Sequence, residues 1–198
     1  MTTETFVARH LIPLQPGAGL KHPQQPPELV GADSPALEVF TDFHLVQPIT
    51  DRPGTRIDDA LDNMKTAGVR LLLIVDDGNE IIGLVTSTDI QGERPIKLMQ
   101  EDRIERNAIA VSMIMTPQSD IVALDMRSVI DSQVGHIIET LNQVEQRHIL
   151  VVEVEPDTGR QCVRGLFSTS QIGKQLGHGV LDDMHPARSL LDMIHQVV

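Results

Sequence analysis

An apolar run in this chain breaks abruptly into three hydroxyls and a carboxylate. In EIIGLVTSTDI (Glu80–Ile90), Thr86, Ser87, Thr88 and Asp89 follow Ile81, Ile82, Leu84 and Val85. Residues of these types at this spacing have two uses. Thr86-x-x-Asp89 is a capping box, which gives the free N–H groups of a helix start side-chain acceptors. The same groups can hold a ligand. The hydroxyls of Thr86 and Thr88 suit a phosphate or a ribose, Asp89 offers two acceptor oxygens to adjacent sugar hydroxyls, and a helix start favours an anion. A second instance, LFSTSQI (Leu166–Ile172), repeats the pattern with Ser168, Thr169, Ser170 and Gln171. Gln171 stands where the first instance has Asp89. A neutral amide still caps a helix but clamps a diol less well, so one good site and one degenerate site are expected.

The elements that must position these groups also occur twice. Ile57, Ala60, Leu61, Met64 and Ala67 make one apolar helical face, and Val134, Ile137, Ile138, Leu141 and Val144 make another at the same spacing. Each helix leads to a strand (Leu71–Val75; Ile149–Val152), a turn (DDGNE; EPDTGR) and a second strand containing Gly83 or Gly165. Upstream, Val39–Val46 parallels Ile114–Val122, with Thr41 matching Thr116. A unit of this size buries too little surface alone, so the two copies are expected to pack together.

The rest of the chain sets limits. Its 198 residues suffice for one domain or two small ones, and an apolar fraction of 40% supports a core. A net charge of −12 argues against a polyanion-binding surface, and 2% aromatics with no Trp or Tyr argues against base-stacking platforms. A small anionic ligand needs only a local positive site. One cysteine, Cys162, builds neither a disulfide framework nor a cysteine zinc site, and the scattered histidines form no ligand spacing, so no metal is expected. No apolar run spans a bilayer and the start lacks a secretory pattern, so a cytoplasmic protein is expected. No nucleophile elbow or Ser/His/Asp grouping is present, so the chain is not expected to be an enzyme.

With those residues in place, a family resemblance emerges. MTPQSDIVAL, an amphipathic helix, RHILVVE, a turn and GLFSTS resemble the CBS domain, named after cystathionine β-synthase. VRLLLIVDDGNEIIGLVTSTDI resembles it more closely. Two copies over residues 36–178 resemble a CBS pair, or Bateman module. The resemblance implies an α/β (α+β) fold of tandem βαββα repeats packed about a pseudo-two-fold axis. It implies no catalysis and no required cofactor, but binding of an adenosyl ligand (AMP, ADP, ATP or S-adenosylmethionine) in clefts between the repeats. It further implies regulation of a separate partner protein, and a homodimer. Thr86, Thr88 and Asp89 would hold ribose and phosphate, with Ser168 and Ser170 in the second copy. The adenine would lie against the segment Thr41–Val46, matched in copy two by Thr116 and Ile121. Arg70, and Arg147 with His148, occupy positions that meet phosphates; Arg94 and Lys97 are weaker candidates. The alternative is a ligand-free interaction module whose motifs only cap helices.

The resulting division is an arm rich in Pro and Gln (1–35), repeat one (36–100), a linker helix with repeat two (101–178), and a C-terminal amphipathic helix (179–198). Gly92 and Pro95 should break the helix after Asp89 and start a new one over about 95–106.

Overall fold

The computed structural model describes residues 29–176. Most of the expected arm, and the C-terminal helix with His185 and His195, lie outside the described residues. In chain order the elements are β1 (Thr41–Asp42), β2 (Thr50–Asp51), α1 (Ile57–Ala67), β3 (Leu71–Val75), β4 (Ile81–Thr86), α2 (Ser87–Gln91), α3 (Glu93–Glu101), β5 (Thr116–Pro117), β6 (Ala123–Asp125), α4 (Met126–Ile130), α5 (Val134–Gln143), β7 (His148–Val154), β8 (Gln161–Ser168) and α6 (Thr169–Gln175). The two apolar faces read from spacing become α1 and α5, which bury Ile57, Ala60 and Met64, and Val134, Ile137, Ile138 and Leu141. Asp58 and Asp59 sit in the first turn of α1 and Lys65 in its last, matching the helix dipole. Gly68 ends the helix at φ 68°, a left-handed conformation that glycine adopts without strain.

The strands form two four-stranded sheets, ordered β2-β3-β4-β5 and β1-β8-β7-β6. In each, a parallel edge pair (β2 with β3, β6 with β7) joins an antiparallel hairpin (β3/β4, β7/β8). All five residues of β3 are buried because both faces of its sheet are covered. Leu72 and Ile74 face the α1 core, while Leu71 and Leu73 meet Leu150 of the other sheet in a separate apolar cluster. Phe43, Ile81, Leu84, Ile121, Val163 and Leu166 pack against this cluster.

The outer edge strands are exchanged between the copies. β1 pairs antiparallel with β8, and β5 pairs antiparallel with β4. The cores follow the exchange. Ala36 and Val39 belong to the core of the second sheet, and Ile109, Val111 and Ile114 belong to that of the first. Core membership therefore crosses the sequence division at residue 100. The exchange also accounts for the repeated glycines. A Cβ on Gly83 would stand 2.7 Å from the Thr116 carbonyl oxygen, and one on Gly165 would overlap the Thr41 carbonyl oxygen and the Phe40 ring. Beside each glycine the register slips, leaving Ile82 and Arg164 as the extra residues. A bulge re-aims a side chain. Arg164 accordingly forks onto both carboxylate oxygens of Asp42 at 2.9 and 2.7 Å and reaches Glu153 at 3.1 Å, tying β1 to its host sheet.

The helix after Asp89 does break, at Gly92, but α3 runs over Glu93–Glu101 rather than about 95–106. Pro95 falls in its first turn, where no N–H is needed. The chain turns away soon after Glu101, with Arg103 at φ 56°.

Candidate ligand-binding clefts

Two clefts lie between the sheets, one beside each hydroxyl motif. Cleft one has a volume of about 320 Å³. Its polar rim carries Thr86, Thr88, Asp89 and Arg94 from the first copy, Thr116 from β5, and Arg147 and His148 from the second copy; Leu71, Leu84, Ile121, Val122 and Leu150 supply its apolar wall. Cleft two, of about 380 Å³, has Ser168, Ser170, Gln171 and Lys174 on one side, Thr41, Phe43 and Val46 on another, and Arg70 with His148 closing it.

This arrangement corrects the grouping expected from chain order. Thr41, Val46 and Arg70 do not accompany Thr86, Thr88 and Asp89; they line cleft two with Ser168 and Ser170. Thr116, Ile121 and Arg147 line cleft one. For Thr41 and Thr116 the reason is the strand exchange, which carries them to β8 and β4. Each cleft thus takes its hydroxyl motif from one copy and an arginine, Arg147 or Arg70, from the other.

The local geometry at Asp89 shows a complete capping box. Asp89 Oδ2 accepts from the Thr86 backbone N–H at 2.9 Å and from the Thr86 hydroxyl at 2.7 Å, and Thr86 Oγ1 accepts from the Asp89 N–H at 3.2 Å. One carboxylate oxygen is therefore engaged in the cap. The other, Oδ1, faces Arg94 Nη1 at 3.6 Å. Arg94 also donates to the Ile114 carbonyl, which fixes it at the rim. α2 has only five residues, so its dipole adds little to anion binding, and side chains must supply the polarity. Lys97 turns away to Glu93, at 3.6 Å.

The second motif is capped by half. Ser168 Oγ accepts from the Gln171 N–H at 3.1 Å, but the Gln171 side chain runs along α6 to Gln175 at 2.9 Å instead of returning to Ser168. Gln175 continues the chain of bonds to the Glu38 carbonyl at 3.0 Å. Among the described residues no carboxylate lines cleft two, whereas Asp89, Asp120 and Glu145 line cleft one.

His148 lines both clefts. Burial pushes its pKa down to about 4, helped by the positive charges of Arg147 and Arg70 and opposed by Asp89. The imidazole is neutral at pH 7 and offers one donor and one acceptor. Its counterpart in the first sheet is Leu71, since His148 pairs with Ser168 as Leu71 pairs with Thr86. Sequence reasoning missed Lys174, which helical spacing from Gln171 would have placed on the same face. It also missed Asp120 and Glu145, which stand outside the α-helices and strands and carry no periodic signal. Among the described residues, no three His, Cys, Asp or Glu side chains converge as a metal-binding group. Among them, no helix is long and apolar enough to cross a membrane.

Comparison with known proteins agrees with this architecture. Residues 41–94 match the CBS-domain family model. No curated protein matches the chain. Similar solved structures include an uncharacterised conserved protein of Pyrococcus horikoshii (17% identity over 78% of this chain and 100% of that one, TM-score 0.52). A CBS-domain-containing protein of Agrobacterium tumefaciens is similar at 17% identity over 73% of this chain and 94% of that one, TM-score 0.51. A Methanocaldococcus jannaschii protein matches at 20% identity over 79% of this chain but 50% of that one, TM-score 0.50. At these identities the likeness is one of fold. The segment 41–94 is a CBS domain by that match, and the two copies together have the fold of a CBS pair.

Proposed function

We propose that this chain is a non-catalytic regulatory module that binds an adenosine-containing ligand in cleft one and acts on a separate partner protein. The observation that carries this reading is the convergence at cleft one. Thr86 and Thr88 hydroxyls, the uncapped Oδ1 of Asp89 and the Arg147 guanidinium ring a cavity with an apolar wall. A sugar-phosphate with a flat apolar base fits that distribution: acceptor to diol, cation and the Thr88 hydroxyl to phosphate, leucines and Ile121 to the base. AMP, ADP, ATP and S-adenosylmethionine are the ligands to try. The functional unit is a homodimer in the cytoplasm, and ligand binding favours one relative placement of the two copies over another.

The test is thermal unfolding of nucleotide-free protein against those four compounds. A ligand at a hundred times its dissociation constant adds about 2.7 kcal/mol, which raises Tm by roughly 5–11 °C for a chain of this length. A shift with one of them supports the reading. Indifference to all four supports the alternative of a ligand-free interaction module. The observation favouring that alternative is that the Thr86–Asp89 box is complete without a ligand.

A further inference from the structure

The two clefts differ in charge, position for position. Thr41 and Thr116 hold equivalent places, since β1 meets β8 as β5 meets β4. Asp89 in cleft one answers to Gln171 in cleft two. Gly68 ends α1 at φ 68° and lines cleft two; Glu145, at the matching place after α5, takes φ 53° and lines cleft one. Left-handed backbone favours glycine, so a glutamate there carries a conformational cost. Leu45 stands four residues after Thr41, and Asp120 four after Thr116, where it lines cleft one. In the opposite sense, Lys174 lines cleft two where the first copy has Gly92. All four differences make cleft one the more negative. Among the described residues, Arg94 and Arg147 line cleft one together with Asp89, Asp120 and Glu145, whereas Arg70 and Lys174 line cleft two with no carboxylate.

The added carboxylates are open to an occupant. Arg94 is engaged by Asp89 and by the Ile114 carbonyl. The Asp120 side chain accepts only from the Ser119 hydroxyl, at 3.0 Å, and the Glu145 side chain makes no hydrogen bond or ion pair among the described residues. A second observation points to an occupant: the largely buried, neutral His148 imidazole lines the same cleft and also makes neither among the described residues. These carboxylates and His148 do not converge as a metal-binding group, so the positive charge they favour is one that the occupant itself carries. We infer that cleft one selects an adenosyl compound whose 5′ substituent carries a positive charge, on an ammonium or a sulfonium, over one that ends in phosphate alone. The inference rests on the adenosine reading of cleft one. Arg147 is then left for an anionic group on the same substituent, such as the carboxylate of an amino-acid tail.

The experiment is calorimetric titration of the full chain at pH 7 and low salt with adenosine, 5′-amino-5′-deoxyadenosine, S-adenosylmethionine and AMP. Adenosine is the neutral reference. The amino compound adds a cation alone, S-adenosylmethionine a sulfonium with an amino-acid tail, and AMP a phosphate. The amino compound should bind roughly three- to tenfold tighter than adenosine, the effect of a unit charge at a solvent-exposed rim, and the difference should shrink at high salt. D120N and E145Q should each bring it back toward the adenosine value and should tighten AMP, with adenosine itself little changed. E145G, which copies Gly68, should do the same with the backbone cost removed. D77N removes a carboxylate that lines neither cleft and should leave the affinity ratios unchanged. A gain for both cationic compounds upholds the inference and assigns the charge to an ammonium; a gain for S-adenosylmethionine alone upholds it and assigns the charge to the sulfonium tail. AMP binding more tightly than either cationic compound, or ratios that move as much in D77N as in D120N and E145Q, would overturn the inference and leave the adenosine reading standing. Binding of none of the four would remove the adenosine reading and the inference with it.

Discussion

The two uses of Asp89 can be separated by one atom. In Asp89→Asn the amide oxygen can replace Oδ2 and keep accepting from the Thr86 N–H and hydroxyl, now at 2.9 and 2.7 Å. The cap survives. What changes is the other side of the group, where a charged acceptor beside Arg94 at the rim of cleft one becomes an NH₂ donor. A charge-assisted hydrogen bond is worth about 1.5–3 kcal/mol, so affinity for the adenosyl ligand should fall roughly 10- to 150-fold. The Asp89–Arg94 contact at 3.6 Å involves an arginine side chain that is 51% exposed, and its loss should cost no more than about 0.5 kcal/mol. Melting without ligand should therefore move by only about 1–2 °C. Asp89→Ala removes both uses. It should lose the affinity and also about 1–2 kcal/mol of capping, or roughly 2–8 °C in Tm. Gln171→Ala should leave cleft-one affinity intact, because its side chain lies along α6 toward Gln175. The assay is unliganded thermal unfolding followed by calorimetric titration of each variant with the compound that shifts the wild type. An Asn variant that binds as tightly as the wild type would refute the clamp. An Ala variant that melts with the wild type would refute the cap.

Two further outcomes follow from the packing. His148 has a folded pKa of about 4 against 6.5 for the free group, so between these values the unfolded chain binds more protons. Its contribution is intact above pH 6.5 and is lost as pH falls toward 4, by up to about 3 kcal/mol. Denaturant unfolding at pH 7 and pH 5 should show this loss in the wild type and a flatter profile in His148→Leu, which copies the Leu71 side; equal slopes would exclude His148 as the source. Gly165→Ala forces a methyl into the Thr41 carbonyl and the Phe40 ring and should cost about 3 kcal/mol or more, read as a fall in Tm. The same change at Gly159, where φ is 69° but nothing lies within 4 Å, should cost only the backbone strain of about 1–2 kcal/mol.

The elements that were legible in the sequence are those with a local cause. The spacing of Ile57 to Met64 and of Val134 to Leu141 dictates a helical face whatever it packs on. The DDGN turn needs only Asp76, whose Oδ1 accepts from the Glu80 N–H at 2.9 Å, and Asn79, which takes φ 63°. The hydroxyl motifs announce a helix start in both copies. The strand exchange was not legible. β1 and β5 are two residues long, too short for any alternation to show. The sheet each joins is decided by distant contacts, such as Phe40 against Phe167 at 5.1 Å and Arg164 on Asp42. Site membership depends on that exchange, so the residue types of the clefts could be read while their partners could not. Pro95 misled for a related reason: its effect depends on which turn of the helix it occupies, and that depends on where Gly92 ends the preceding one.

The exchange also constrains how the module can respond to a ligand. Because Thr86 and Asp89 come from one copy and Arg147 from the other, a bound molecule that touches all three bridges the copies. The cluster joining the two sheets, Leu71, Leu73 and Leu150 with their partly buried neighbours, is apolar and imposes no hydrogen-bond register, so modest relative shifts cost little there. A ligand that keeps its contact with Arg147 in one placement and loses it in another discriminates by about 1.4 kcal/mol if that contact is worth tenfold, and it can move the equilibrium tenfold and no further. Carrying a population from 1:99 to 99:1 would take about 10⁴-fold. Contacts with further second-copy residues of cleft one, such as His148, would have to be added to approach that.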